Sequence, residues 1–121
     1  MSSRMTVDTI QVLSRTTGET VIPGIGDYDE ASPAWTESEH RATTPGESIV
    51  GYWTGEPGWV RMDVWPYTEV CIIKSGAVEI EDSEGARRRF GAGDSFVIPQ
   101  GFAGVWHTLE PTEKVFVGIV A

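Results

Sequence analysis

Cysteine is nearly missing from this chain, and so are long apolar runs, a basic surface and any helix-length stretch free of breakers. Cys71 is the one cysteine in 121 residues, which excludes an internal disulfide, a zinc ribbon and a CxxC redox pair. Eighteen apolar residues never follow one another, and the opening Met1-Ser2-Ser3-Arg4-Met5-Thr6-Val7-Asp8 lacks the apolar core of a secretory signal. A cytoplasmic location is the expectation. Nine Lys plus Arg stand against eighteen Asp plus Glu, a net charge of −9 that repels phosphate backbones and anionic headgroups. Neither nucleic acid nor a membrane is therefore expected as a partner. Fourteen Gly and seven Pro interrupt the chain so often that no window of about 12 residues carries a clean i, i+3, i+4 apolar pattern. Helix should be minor.

What remains is enough for a packed interior. Hydrophobic residues make up 40% of the chain, with five Trp, four Phe and three Tyr among them, so one folded domain is expected and a disordered tail is excluded. Residues 1–48 are rich in turn formers, with Gly24-Ile25-Gly26-Asp27, Ser32-Pro33 and the polar run from Thr36 to Ser48. They read as an extended N-terminal arm holding one or two short strands. From residue 49 to 121 the character changes to short β-branched and aromatic runs separated by turn residues. The predicted strands are Ile49–Trp53, Trp59–Val64, Glu69–Lys74, Ala77–Asp82, Arg87–Phe90, Ser95–Ile98, Gly104–Leu109 and Lys114–Ile119. Strands this short, with turns this close, predict an all-β fold, an antiparallel jelly-roll β-barrel behind an irregular arm.

Glu69-x6-Gly76 followed by Gly93-Asp94-x4-Pro99-x-Gly101 resembles the two signature motifs of the cupin superfamily, G-x5-H-x-H-x3,4-E-x6-G and G-x5-P-x-G-x2-H-x3-N. The stretch Gly101-Phe102-Ala103-Gly104-Val105-Trp106, with Gly51-Tyr52-Trp53 and Glu56-Pro57-Gly58, is similar to the small cupins of the ureidoglycine aminohydrolase-like, ethanolamine-utilisation-like group. The resemblance runs over roughly residues 30 to 119. It implies a jelly-roll barrel, often a homodimer, with a pocket inside. Many cupins hold a divalent metal through two His and a Glu of the first motif and a His of the second. Carried onto this chain, those positions are Asp63, Trp65, Glu69 and Gly104. Trp and Gly offer no side-chain donor to a metal, so no metal and no other cofactor is expected. The two histidines do not replace them: by strand alternation His107 points outward while Trp106 and Thr108 point in, and His40 lies in the polar arm.

The same alternation puts Arg61, Asp63, Trp65, Tyr67, Glu69 and Cys71 on the inward face. With Trp53, Trp106 and Thr108 they make a pocket of aromatic walls and a few polar groups, the usual composition of a small-molecule site. Glu69 is the candidate reactive group. A desolvated carboxylate has a raised pKa unless a cation such as Arg61 lies close, and it can then move a proton on a bound ligand. The same carboxylate can equally serve as a hydrogen-bond acceptor that ties the barrel together. Tyr67 is either a phenolic acid or a wall. Arg61 and Asp63, two apart, form either an anion-orienting pair or a surface salt bridge. Cys71, on a strand without a paired His, fits an inert small hydrophobe better than a nucleophile.

Two classes of function follow. One is metal-independent acid–base catalysis on a small polar metabolite, of lyase, isomerase or C–N hydrolase type, with Glu69 and Tyr67 catalytic and Trp53, Arg61, Asp63, Trp65, Cys71, Trp106 and Thr108 binding the substrate. The other is non-catalytic capture of a small molecule, or a plain dimeric scaffold. A homodimer is expected because Val60, Met62 and Val64 would otherwise form an outward apolar stripe.

Overall fold

The computed structural model describes residues 5–16, 18–21 and 28–120, so the Gly24–Asp27 turn lies outside the described residues. The segment before residue 49 supplies three strands, β1 (Glu19–Val21), β2 (Glu30–Ala31) and β3 (Glu37–Arg41). After them come β4 (Ile49–Gly55), β5 (Gly58–Met62), β6 (Thr68–Ser75), β7 (Ala77–Asp82), β8 (Arg87–Gly91), β9 (Ser95–Ile98), β10 (Gly104–Thr108) and β11 (Thr112–Ile119). Each strand expected beyond residue 48 is present. Among the described residues the helical content is one 3-10 turn, Val7–Thr9, and no helix is long and apolar enough to cross a membrane.

The strands form two antiparallel sheets, β1-β3-β4-β11-β6-β9 and β2-β5-β10-β7-β8, packed face to face. The jelly roll is thus a sandwich, because among the described residues no strand pairing joins the two sheets into a closed barrel. The described residues before 49 join both sheets. β1 and β3 extend the first sheet through β4, with His40 opposite Tyr52, and β2 pairs with β5 at the edge of the second.

Period-two burial explains the layers. On β11, Thr112, Lys114, Phe116 and Gly118 are buried while the residues between them are half-exposed. Trp53, Cys71, Ile73, Val78, Trp106 and Phe116 meet in the centre, each such side chain contributing about 1.5–3 kcal/mol on removal from water. The β6–β7 turn depends on Gly76, with φ +91°. A Cβ there would lie 2.3 Å from Thr112 Oγ1 and 2.5 Å from the Pro111 carbonyl, so only glycine fits.

Between β5 and β6 the alternation does not carry through. In β5 it is Val60 that is buried, and Met62 also turns to the cavity, so Arg61 faces out and Asp63 follows it into solvent. Arg61 pairs there with Asp63 and, at 3.4 Å, with Glu30. Residues 63–67 lie between β5 and β6 outside any ladder, and this break, which contains Pro66, frees Trp65 to turn inward again. Its backbone is held by Phe102 and Gly101 through bonds of 2.8 Å each. The apolar outward stripe reduces to Val64 as a result. On β10 the alternation holds: Trp106 and Thr108 are buried, and His107 points outward to Glu81, 2.8 Å away.

Candidate functional site

Between the sheets lies a cavity of about 460 Å³. Its charged groups come from three strands of the first sheet: Glu37, Glu39 and Arg41 from β3, Glu69 from β6 and Lys114 from β11. Aromatic walls surround them, with Tyr28, Trp35, Trp53, Trp65, Tyr67 and Trp106 from both sheets and the loops.

Glu69 and Lys114 form the inner pair. Lys114 Nζ donates to Glu69 Oε2 at 2.5 Å, Cys71 Sγ donates to the same oxygen at 2.9 Å, and Trp65 Nε1 donates to Oε1 at 3.1 Å. The ammonium lies 4.0 Å from the Trp106 ring centroid and 4.7 Å from that of Trp53, close enough for both ring faces to attract it. Burial acts to raise the Glu69 pKa, but the Lys114 charge and the three donors outweigh it and hold the carboxyl below its usual range. Burial acts to lower the Lys114 pKa, and Glu69 overrides it in the same way, so the ammonium stays charged. The neutralising cation is Lys114, where the sequence suggested Arg61.

Glu39 is likewise neutralised. Arg41 donates to its Oε2 through Nε at 2.8 Å, and its second guanidinium nitrogen lies 2.7 Å from the same oxygen.

Glu37 has no cation in ion-pair contact among the described residues. Trp53 Nε1 donates to its Oε1 at 2.6 Å and the Tyr28 hydroxyl donates to its Oε2. Burial pushes its carboxyl up to about 7, against the two hydrogen bonds that favour the charged form. The remaining weak acids are held protonated: burial pushes the Tyr28 and Tyr67 phenols and the Cys71 thiol above their ordinary ranges.

Of the sequence-derived residues, Trp53, Trp65, Tyr67, Glu69 and Trp106 line this cavity. Cys71 stands behind it on Glu69, and Thr108 is buried beside it, accepting from Trp106 Nε1 at 3.1 Å. Arg61 and Asp63 are on the outer surface and do not reach it. Sequence reasoning missed Glu37, Glu39, Arg41 and Lys114. A signal existed for Lys114, which shares the parity of Phe116 on a predicted strand, but not for Glu37-Ser38-Glu39-His40-Arg41, which has no apolar residue to mark its inward face.

Residues 43–116 match a known family model, the EutQ-like cupin domain. The chain belongs to the EutQ-like cupins. Solved structures agree on the fold. The Clostridium difficile EutQ protein is similar with a TM-score of 0.65 at 14% identity, over 73% of this chain and 71% of that one. An ethanolamine utilization protein Q of Salmonella typhimurium LT2 gives 0.65 at 16% identity, over 85% and 97%. A protein of unknown function (DUF1255) from Acidithiobacillus ferrooxidans gives 0.62 at 21%, over 93% and 98%. None of the curated proteins matches.

The metal centre common among cupins does not fit this EutQ-like member. Of the four ligand positions, Asp63 is outside the cavity, Trp65 presents an N–H donor, and Gly104 has no side chain. Glu69 remains, with both oxygens already accepting from its neighbours. Among the described residues no three His, Cys, Asp or Glu side chains come together as a ligand set. The cation beside the motif glutamate is the chain's own ammonium.

Proposed function

We propose that this cupin binds a small polar metabolite in the cavity between its sheets and that Glu37 exchanges a proton with it. The observation that carries the reading is the pairing pattern. Glu69 and Glu39 each have a cation in contact, which leaves Glu37 as the cavity carboxyl able to change charge near neutrality. A carboxyl at about 7 matches the requirement for general acid–base work at ordinary pH, such as an isomerisation, an elimination or a C–N hydrolysis. Tyr28 and Trp53 hold the carboxyl in place for that role, while the indole rings supply a surface for the ligand's apolar part. The ionised Glu69 acts as the anchor of Lys114, so proton transfer is assigned to Glu37.

A second reading, capture without turnover, is favoured because the other weak acids described at the cavity, Tyr28, Tyr67 and Cys71, are all pushed up and held protonated.

The test is a thermal-shift screen over small organic acids, amines and ureides, followed by titration of any hit at several pH values. Binding by the wild type should change across a midpoint near 7, while Glu37→Gln should bind about tenfold more weakly and with a flat profile. Equal affinity and an unchanged profile in E37Q would sink the assignment. Turnover of the hit, lost in E37Q, selects catalysis over capture.

Glu37 also leaves a mark on stability. Its folded pKa lies above the ordinary carboxyl value of 4.5, so between 4.5 and about 7 the native state holds a proton that the unfolded chain has lost. Its contribution therefore makes the fold less stable as pH rises through that window. Melting temperatures measured across the window should fall less steeply in E37Q than in the wild type; parallel curves would contradict the raised value.

A further inference from the structure

The two sheets part company at β8 and β9, and a second cavity of about 500 Å³ opens there, separate from the Glu37 site. Its walls follow from register. On β8, Arg88 stands opposite Ile80 and Phe90 opposite Val78, both inward residues of β7, so Arg88 and Phe90 face the gap between the sheets. On β9, Phe96 stands opposite Cys71 and Ile98 opposite Glu69, again the inward face. Phe90 and Phe96 stack across the gap with centroids 3.9 Å apart, and Phe102 closes one end.

Two guanidiniums and one carboxylate, Arg87, Arg88 and Asp82, stand at this mouth. Arg87 points the other way along β8 and pairs with Glu79 at 3.0 Å and Glu81 at 3.3 Å. Arg88 lies over the Phe90 ring, 5.3 Å from its centroid, and has no carboxylate in ion-pair contact among the described residues. Asp82, on the same rim, uses Oδ1 to accept the backbone N–H groups of Glu84 and Ala86 at 2.9 and 3.0 Å. In a chain of net charge −9, a guanidinium without a carboxylate, set over an aromatic floor, is a receptor for a foreign anion. The volume lies inside the range of about 300–1,000 Å³ usual for small-molecule sites.

We propose that this inter-sheet mouth binds a small monocarboxylate with an apolar body, its carboxylate on Arg88 and its hydrocarbon or ring against Phe90, Phe96 and Phe102. The proposal is independent of the Glu37 reading.

Phenylacetate is the probe, with phenylacetamide as its neutral counterpart, followed by backbone amide shifts and calorimetry on the full chain. Phenylacetate should give saturable shifts centred on residues 86–90 and 95–98. Arg88→Gln, at an exposed position, should melt like the wild type and bind phenylacetate about tenfold more weakly, and phenylacetamide should be weaker by a similar factor. Equal binding by R88Q, equal binding of the amide, no saturation, or shifts centred on Glu37 and Lys114 would each overturn it. So would the same amides shifting with protein concentration alone, which would mean that a second copy covers the mouth.

Discussion

Replacing Lys114 with methionine should cost about 3–5 kcal/mol of folding stability at neutral pH, the range found when one member of a buried ion pair is removed. Methionine nearly matches the volume of the lysine stem, so the loss reports charge and not a hole. Glu69 would keep Trp65 and Cys71 as donors but lose its cation while remaining 4% exposed. In the wild type, Glu69 is lowered from 4.5 and Lys114 raised from 10.5. The pair's stabilisation is therefore fully present between those two values, lost on the acid side as pH falls through the lowered carboxyl value and on the alkaline side as pH rises through the raised ammonium value. In K114M the sign inverts for Glu69: burial without the ammonium raises its pKa, so the variant should lose stability as pH climbs through the carboxylate range. Adding Glu69→Gln to K114M should restore part of the loss, and the double-mutant cycle gives the coupling. Denaturant unfolding of the wild type, K114M, E69Q and the double variant at acid and neutral pH closes the cycle. A K114M protein as stable as the wild type at neutral pH would mean that the pair carries no such weight.

Gly104→Ala should be nearly as damaging, at about 3 kcal/mol or more. A Cβ at this position would lie 2.3 Å from the Glu81 carbonyl oxygen and 2.5 Å from Phe102 Cε2. β10 is paired on both sides, with Gly104 opposite Met62 on β5 and Asp82 on β7, so the backbone has no direction in which to yield. The same clash bars a histidine from the position that the cupin motif gives to its last metal ligand. Restoring the metal set by substitution therefore fails here for want of space as well as of partners. An alanine variant that melts within a degree or two of the wild type would refute this account of the β10 neighbourhood.

The strands beyond residue 48 were legible in the sequence because their apolar residues are separated by Gly and Pro turns whose backbone needs are local. Gly76, with its positive φ, and the Ala77–Asp82 run after it show this directly. One or two short strands were expected before residue 49, but β3 itself could not be located, because Glu37-Ser38-Glu39-His40-Arg41 carries no apolar residue. Its inward side chains are two buried glutamates and a half-buried arginine, held in place by Tyr28, Trp53 and one another. Polar alternation looks like loop until the opposing groups are known. Arg61 and Asp63 were misplaced for a different reason: alternation was carried through residues 63–67, where the ladder that enforces it is interrupted. Glu69 was correctly placed inside, with Trp65 beside it, yet its protonation depended on a lysine 45 residues away in sequence.

Glu37, Glu39 and Arg41 precede the stretch that the family model spans, whereas Glu69 and Lys114 fall within it. The cavity thus draws on two stretches: the part of the chain that the family model spans, which holds the inner ion pair and most of the indoles, and a five-residue ribbon before it that holds the outer charges. Grafting a different ribbon beside β4, with the rest of the molecule untouched, would rewrite which molecules the cavity accepts while leaving the packing of the first stretch intact.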